Sequence, residues 1–235
     1  MTLKSKMIAV CLFAWTTNFT ILHANQTLIF TPTYDNLIME NTTDDSVANT
    51  VYAHDSANAV GITHSYGYFY NYVAAASLLY FDLSSLSNKT VLNATLYLYV
   101  SQYAGDPSGA AVRTDYKVSA IIDNWDPNTV TWNTMPRSTY NYEQKFEVPQ
   151  VSVFPTTIDV TDIVRQWVSG NWYNYGFILQ DAYYQAQYGD YIDMTLFGAL
   201  EGDSDKIPKL VIEIAEDGGS GTFLPIPPIL NFLLY

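Results

Sequence analysis

The chain has 235 residues, a length that fits one domain of sandwich or barrel size as well as two small ones. Ten Lys plus Arg stand against 23 Asp plus Glu, a formal net charge of -13 that repels phosphate backbones and argues against nucleic-acid binding. Charged residues make up 14% against about 25% in ordinary soluble domains, while 49% are hydrophobic and 20 are Tyr. Such a chain has a core to bury and is not globally disordered. Tyrosine in place of Lys and Glu suits strands better than helices.

The N-terminus reads as a secretion signal. Lys4 and Lys6 precede an apolar run over residues 7–15, a second run covers 19–22, and Leu22-His23-Ala24 forms a small-residue cleavage site before Asn25. Thr16, Thr17 and Asn18 interrupt the run well short of the ~20 apolar residues that a membrane span needs. Residues 1–24 are therefore expected to be a cleaved signal peptide, and the product secreted or attached to the cell surface. The only cysteine, Cys11, lies inside it, so the mature chain would hold no disulfide, thiolate metal site or cysteine nucleophile.

Residues 25–215 read as one domain of short strands and turns, with no internal repeat. Tyr66, Tyr68, Tyr70 and Tyr72 alternate, so a single extended strand would carry all four on one face. Residues 77–83 form an apolar run of strand length. From 93 to 100, Ala94, Leu96, Leu98 and Val100 share one face, with Thr95, Tyr97 and Tyr99 on the other. Residues 116–122 and 210–214 repeat the period of two, and 176–180 is a short apolar strand. Turn formers separate them at 105–109, 126–128 and 202–205. One stretch is helical in pattern: Thr161 as cap, then Ile163, Val164 and Trp167 on one side. Many short strands and one short helix predict an all-β fold, a two-sheet β-sandwich.

Three ordered segments carry a family resemblance. Leu78-Leu79-Tyr80-Phe81-Asp82-Leu83-Ser84 followed by residues 91–100 is the first. The second is Asn124-Trp125-Asp126 with Thr129-Val130-Thr131-Trp132-Asn133-Thr134-Met135-Pro136. The third is Asp159-Val160-Thr161-Asp162-Ile163-Val164-Arg165-Gln166-Trp167, then Asn174-Tyr175-Gly176-Phe177 and a closing Pro208-Lys209-Leu210-Val211-Ile212. Together they resemble DNRLRE-type domains, which include the family 96 carbohydrate-binding modules. The resemblance covers about residues 77–215. It implies a jelly-roll β-sandwich in a secreted or surface protein and no catalytic site. Two departures stand out: the arginine often preceding the first motif is replaced by Ala74-Ala75-Ala76, and no catalytic domain accompanies the module.

The candidate ligand-binding residues are Tyr66, Tyr68, Tyr70, Tyr72 and Trp125. The tyrosine stripe is either a ligand surface or ordinary cross-strand packing. Trp125 and Trp132 flank a turn and either stack on sugar rings or close the end of the core. Asp203 and Asp205 place carboxylates at alternate positions of a tight loop, the oxygen ligands calcium prefers, with a solvated acidic turn as the plain alternative. No other cofactor is indicated. Glycosylation sequons include Asn41, Asn88 and Asn93. His54 and His64 form no triad pattern, and the carboxylates show no hydrolase pattern, so the chain is read as a non-enzyme.

Residues 216–221 form a flexible linker by composition. Residues 222–235 are apolar, uncharged and broken by prolines, too short to span a bilayer. They fit a membrane or cell-wall attachment, or a strand given to a neighbouring subunit. The sequence thus predicts a non-catalytic surface module whose partner is a polysaccharide or surface glycan, or copies of itself as a fibre. A polysaccharide-active enzyme is the remaining alternative.

Overall fold

The computed structural model describes residues 25–53, 55, 57–66, 70–104, 115–148, 154–182 and 191–215, with backbone alone at 61–66, 70–72, 102–104, 115 and 191–193. Residues 1–24, expected to be a signal peptide, the apolar residues 222–235 and Tyr68 fall outside it. In chain order the elements are β1 (Gln26–Phe30), β2 (Tyr34–Asn41), β3 (Tyr52–Ala53), β4 (Ala57–Tyr66), β5 (Tyr70–Tyr80), β6 (Val91–Leu98) and β7 (Val100–Ala104). Then come β8 (Asp115–Ala120), β9 (Gln144–Glu147), β10 (Thr156–Asp159), helix α1 (Thr161–Val168), β11 (Phe177–Asp181), β12 (Tyr191–Gly198) and β13 (Lys209–Ile214).

These strands build the expected all-β sandwich. One sheet has the order β1-β13-β6-β10; the other runs β7-β12-β4-β5-β11-β8-β9, with β2 on β5 and β3 on β2. Every pairing is antiparallel among the described strands. The alternation read in the sequence fills the space between the sheets. Leu96, Leu98, Leu210 and Ile212 of the smaller sheet meet Leu79, Tyr116, Val118, Phe177 and Leu179 of the larger, all buried. Each large apolar side chain so buried contributes roughly 1.5–3 kcal/mol.

In β6 the pairing with β13 shifts register between Glu213 and Ile214, so Asn93 opposes Glu213 while Val91 opposes Ile214. Leu92 is the extra residue of this bulge, which is why Val91 and Ala94 are both buried at a spacing of three. Arg165 of α1 serves the bulged strand. Its Nε donates to Val91 O and its Nη2 to Leu92 O, at 3.0 and 2.7 Å.

The helix forms where the sequence placed it, with one correction. Thr161 is its first residue; the cap position belongs to Val160. The Thr161 hydroxyl instead ties the helix to β6, donating to Asn93 Oδ1 and accepting from Ala94 N–H, both at 2.9 Å. Asp159 takes the capping chemistry, its Oδ1 accepting Thr161 N–H at 2.9 Å. Ile163, Val164 and Trp167 then close one end of the core.

β5 organises the larger sheet. It pairs with β2 over residues 73–80 along one edge. On its other edge β4 accompanies it as far as Ala75, and β11 takes over from Ser77. At this branch β4 leaves the plane, and the Ser77 hydroxyl holds it by donating to Ala59 O at 2.9 Å. The single tyrosine-bearing strand is not formed. The chain reverses between Tyr66 and Tyr70, which face each other as cross-strand partners, and Tyr72 opposes His64. Period-two alternation runs on from β4 into its antiparallel partner β5, so the pattern alone does not reveal the reversal.

Candidate functional site

The outward face of β5, β11 and β8 carries a depression. On β5 the residues alternate, so Leu79 enters the main core while Ala76 and Leu78 point the other way. There they meet Ile38 and Ile178, and the segment after β8 folds over them with Trp125 and Val130, against which Trp132 and Met135 pack. Where the β5 side chains shrink to Ala74 and Ala76, the covering segment is not met. A cavity of about 720 Å³ remains. Its walls include the apolar Trp132, Met135, Pro136 and Tyr140 and the polar Lys117, Arg137, Gln180 and Asp181.

Each wall has a local cause. Trp132 opens a short 3-10 turn, residues Trp132–Thr134, whose capping box joins Thr131 and Thr134: Thr131 N–H donates to Thr134 Oγ1 at 2.9 Å. This turn fixes the Trp132 ring as half-buried, packed on the outer cluster beneath and facing the cavity above. Tyr140 is 83% exposed at the rim. Lys117 Nζ lies 5.5 Å from the Tyr140 ring centre and 3.2 Å from Glu143 Oε2, which also accepts the Ser119 hydroxyl at 3.1 Å. Arg137 grips Asp123 through Nε and Nη2 at 2.7 and 2.8 Å. These hydrogen bonds hold the Asp123 carboxyl below its ordinary value and raise the guanidinium. Both cations of the cavity are thus already paired with carboxylates.

Trp125 sits elsewhere. It is buried, its Nε1 donates to Tyr175 O at 2.8 Å, and its ring meets Tyr34 edge to face at 4.9 Å. Tyr34 stacks in turn on Tyr80 at 4.6 Å, and burial raises the phenol pKa of both. In this triad Trp125 is a packing ring, while Tyr34 and Tyr80 stay half-buried. Of the tyrosine stripe, the structure fixes only the backbone register of Tyr66, Tyr70 and Tyr72; Tyr68 lies outside the described residues.

The Asp203–Asp205 loop is an Asx turn, with Asp205 N–H donating to Asp203 Oδ1 at 3.0 Å. Among the described residues no three His, Cys, Asp or Glu converge to hold a metal ion. Of the sequons, Asn88 is exposed in a left-handed conformation, φ 64. Asn93 is exposed and its Oδ1 accepts the Thr161 hydroxyl, and Asn41 Oδ1 accepts both the amide and the hydroxyl of Thr43.

The structure therefore unites Trp132 and the Ala74–Ala76 stretch, noted in the sequence only as a departure from the family pattern, with residues that the sequence did not single out: Tyr140, Lys117 and Gln180. Three alanines in a strand of otherwise large side chains were the available signal, since small residues on a sheet face leave room above them.

A search of curated proteins finds no match to this chain. The family model described as carbohydrate-binding module family 96 matches residues 32–213, which include the larger sheet, the helix, every described wall of the cavity and all of the smaller sheet but β1 and the last residue of β13. The chain belongs to carbohydrate-binding module family 96.

Proposed function

We propose that this protein is a non-catalytic module that binds a neutral glycan in the cavity over Ala74 and Ala76. Family membership supports carbohydrate as the ligand class. The observation that carries the site is the cavity itself, lined by the aromatic residues Trp132 and Tyr140 together with polar side chains. Sugars present apolar C–H faces and a rim of hydroxyls, and such a pairing of one aromatic wall with a few fixed polar groups suits them. Neutrality follows from the charges. Lys117 and Arg137 are each engaged by a carboxylate, Asp181 adds a further one, and the whole chain carries -13. A polyanion would meet no uncommitted cation among the described walls.

Binding without cleavage is supported by the wall composition. Glycoside hydrolysis uses two facing carboxyl groups, and Asp181 is the one carboxylate among the described residues lining the cavity. The leader-like pattern of residues 1–24 supports export, and the apolar residues 222–235 support attachment or self-association at the cell surface.

Tyr140→Ala tests the site cleanly, because the ring is 83% exposed and its loss leaves the core intact. The expected result, in affinity gels with neutral glucan, xylan and mannan beside carboxylated pectin, is retention by a neutral polymer alone. In the variant that retention weakens by about tenfold, roughly 1.4 kcal/mol, with an unchanged melting temperature. Retention by pectin alone would overturn the neutral assignment.

A further inference from the structure

A second aromatic contact lies beside the cavity, and it rests on the cavity reading above. Residues 140–143 form a tight turn in which Glu143 N–H donates to Tyr140 O at 3.3 Å. Tyr142, its third residue, has φ 62, in the left-handed region. That position favours glycine or asparagine, and an aromatic side chain there is strained. Asn141, which would take it at little cost, stands one place too early. The fold therefore gains nothing in backbone energy from a tyrosine here.

What the conformation does is aim the ring. Tyr142 reaches Trp172, the half-buried tryptophan of the loop between α1 and β11, with ring centres 5.7 Å apart and planes tilted by 45°. Trp172 is held from below by the main core, and its N–H donates to Gln166 O at 3.1 Å. Tyr142 stays 45% exposed over this support. Strain held at a side chain that remains open to solvent points to recognition, not packing. The position is near the cavity, because Tyr140 on its rim is two residues away, at most about 7 Å along the chain.

We propose that Tyr142 and Trp172 form an outer platform for the sugar units of a neutral glycan that extend beyond the cavity. The module would then read chain length: short oligosaccharides fill the cavity, and longer ones gain the platform.

The test is Tyr142→Asn, with cello-, xylo- and manno-oligosaccharides of two and six units as probes in calorimetric titration. The wild type is expected to bind the six-unit form of one series at least tenfold more tightly than the two-unit form. The variant should keep the two-unit affinity, lose most of that ratio, and melt at the wild-type temperature or above. A lower melting temperature with the ratio kept identifies Tyr142 as a packing residue and overturns the platform. An unchanged ratio at unchanged stability overturns it equally and leaves the cavity standing. If the wild type binds neither length of any series, the cavity reading fails, and the platform fails with it.

Discussion

At Asp35 burial and hydrogen bonding pull in opposite directions. The side chain is enclosed where β2, β4 and the segment after β12 meet, and its Oδ2 accepts Asn58 Nδ2–H at 2.8 Å and Leu200 N–H at 3.0 Å. Desolvation outweighs these bonds and raises the carboxyl from 3.8 to about 6, with the charge of Glu201 adding to the rise. The native state therefore holds this proton more tightly than the unfolded chain. Its stabilising effect is full below pH 3.8 and is lost as pH rises toward about 6, a decline on the order of 3 kcal/mol. Urea unfolding between pH 4 and 7 should show this slope, and Asp35→Asn should flatten it. A wild-type profile that climbs across this window would show that other carboxylates dominate. Gly176 makes a second case at this scale. Its φ is 91, and an added Cβ would lie 2.3 Å from Leu79 O. Gly176→Ala is expected to cost roughly 2–4 kcal/mol, measured as a shift in the denaturation midpoint. Neither residue announces its role in the sequence, since both roles depend on partners distant in the chain.

Elements were legible wherever one face is buried and the other wet. β13 and α1 sit where period and turn residues put them, because alternation or helical spacing is enforced by the same core, whereas the alternating run 93–100 is split: β6 ends at Leu98 in the smaller sheet, and Val100 opens β7 in the larger. The reading failed where local pattern and long-range pairing diverge. The alternating tyrosines cross a hairpin, and β5 extends eleven residues, well beyond the apolar run that was visible. Thr161 shows the same limit: its composition suits a cap, yet its hydroxyl is claimed by β6. Thr161→Val keeps the shape but leaves Ala94 N–H and Asn93 Oδ1 unmatched. About 1–3 kcal/mol of stability should be lost with little change in helix content by circular dichroism. A loss below about 0.5 kcal/mol would mean that water replaces the hydroxyl.

On the scale of the whole molecule, composition gave the class and the ordered motifs gave the family, whereas the cavity arises between separate segments spread from Ala74 to Asp181 and no motif spans it. The tail is testable here too. A protein ending at residue 215 is expected to be a monomer by light scattering with an unchanged β spectrum, while the full mature chain associates or requires detergent. A monomeric full chain would remove attachment and assembly together. The pairing of β1 with β13 sets Gln26 opposite Ile214, so both ends of the folded domain leave from one corner of the smaller sheet. The cavity opens on the far side, on the outward face of the larger sheet. Tension between the two ends would peel β1 from β13 one hydrogen bond at a time, because neighbouring antiparallel strands pulled from the same end open like a zipper. The domain is mechanically weak as a link in a strained filament. Held from that single corner, it carries no tension through its core and presents the cavity outward, as a hook hangs from its cord.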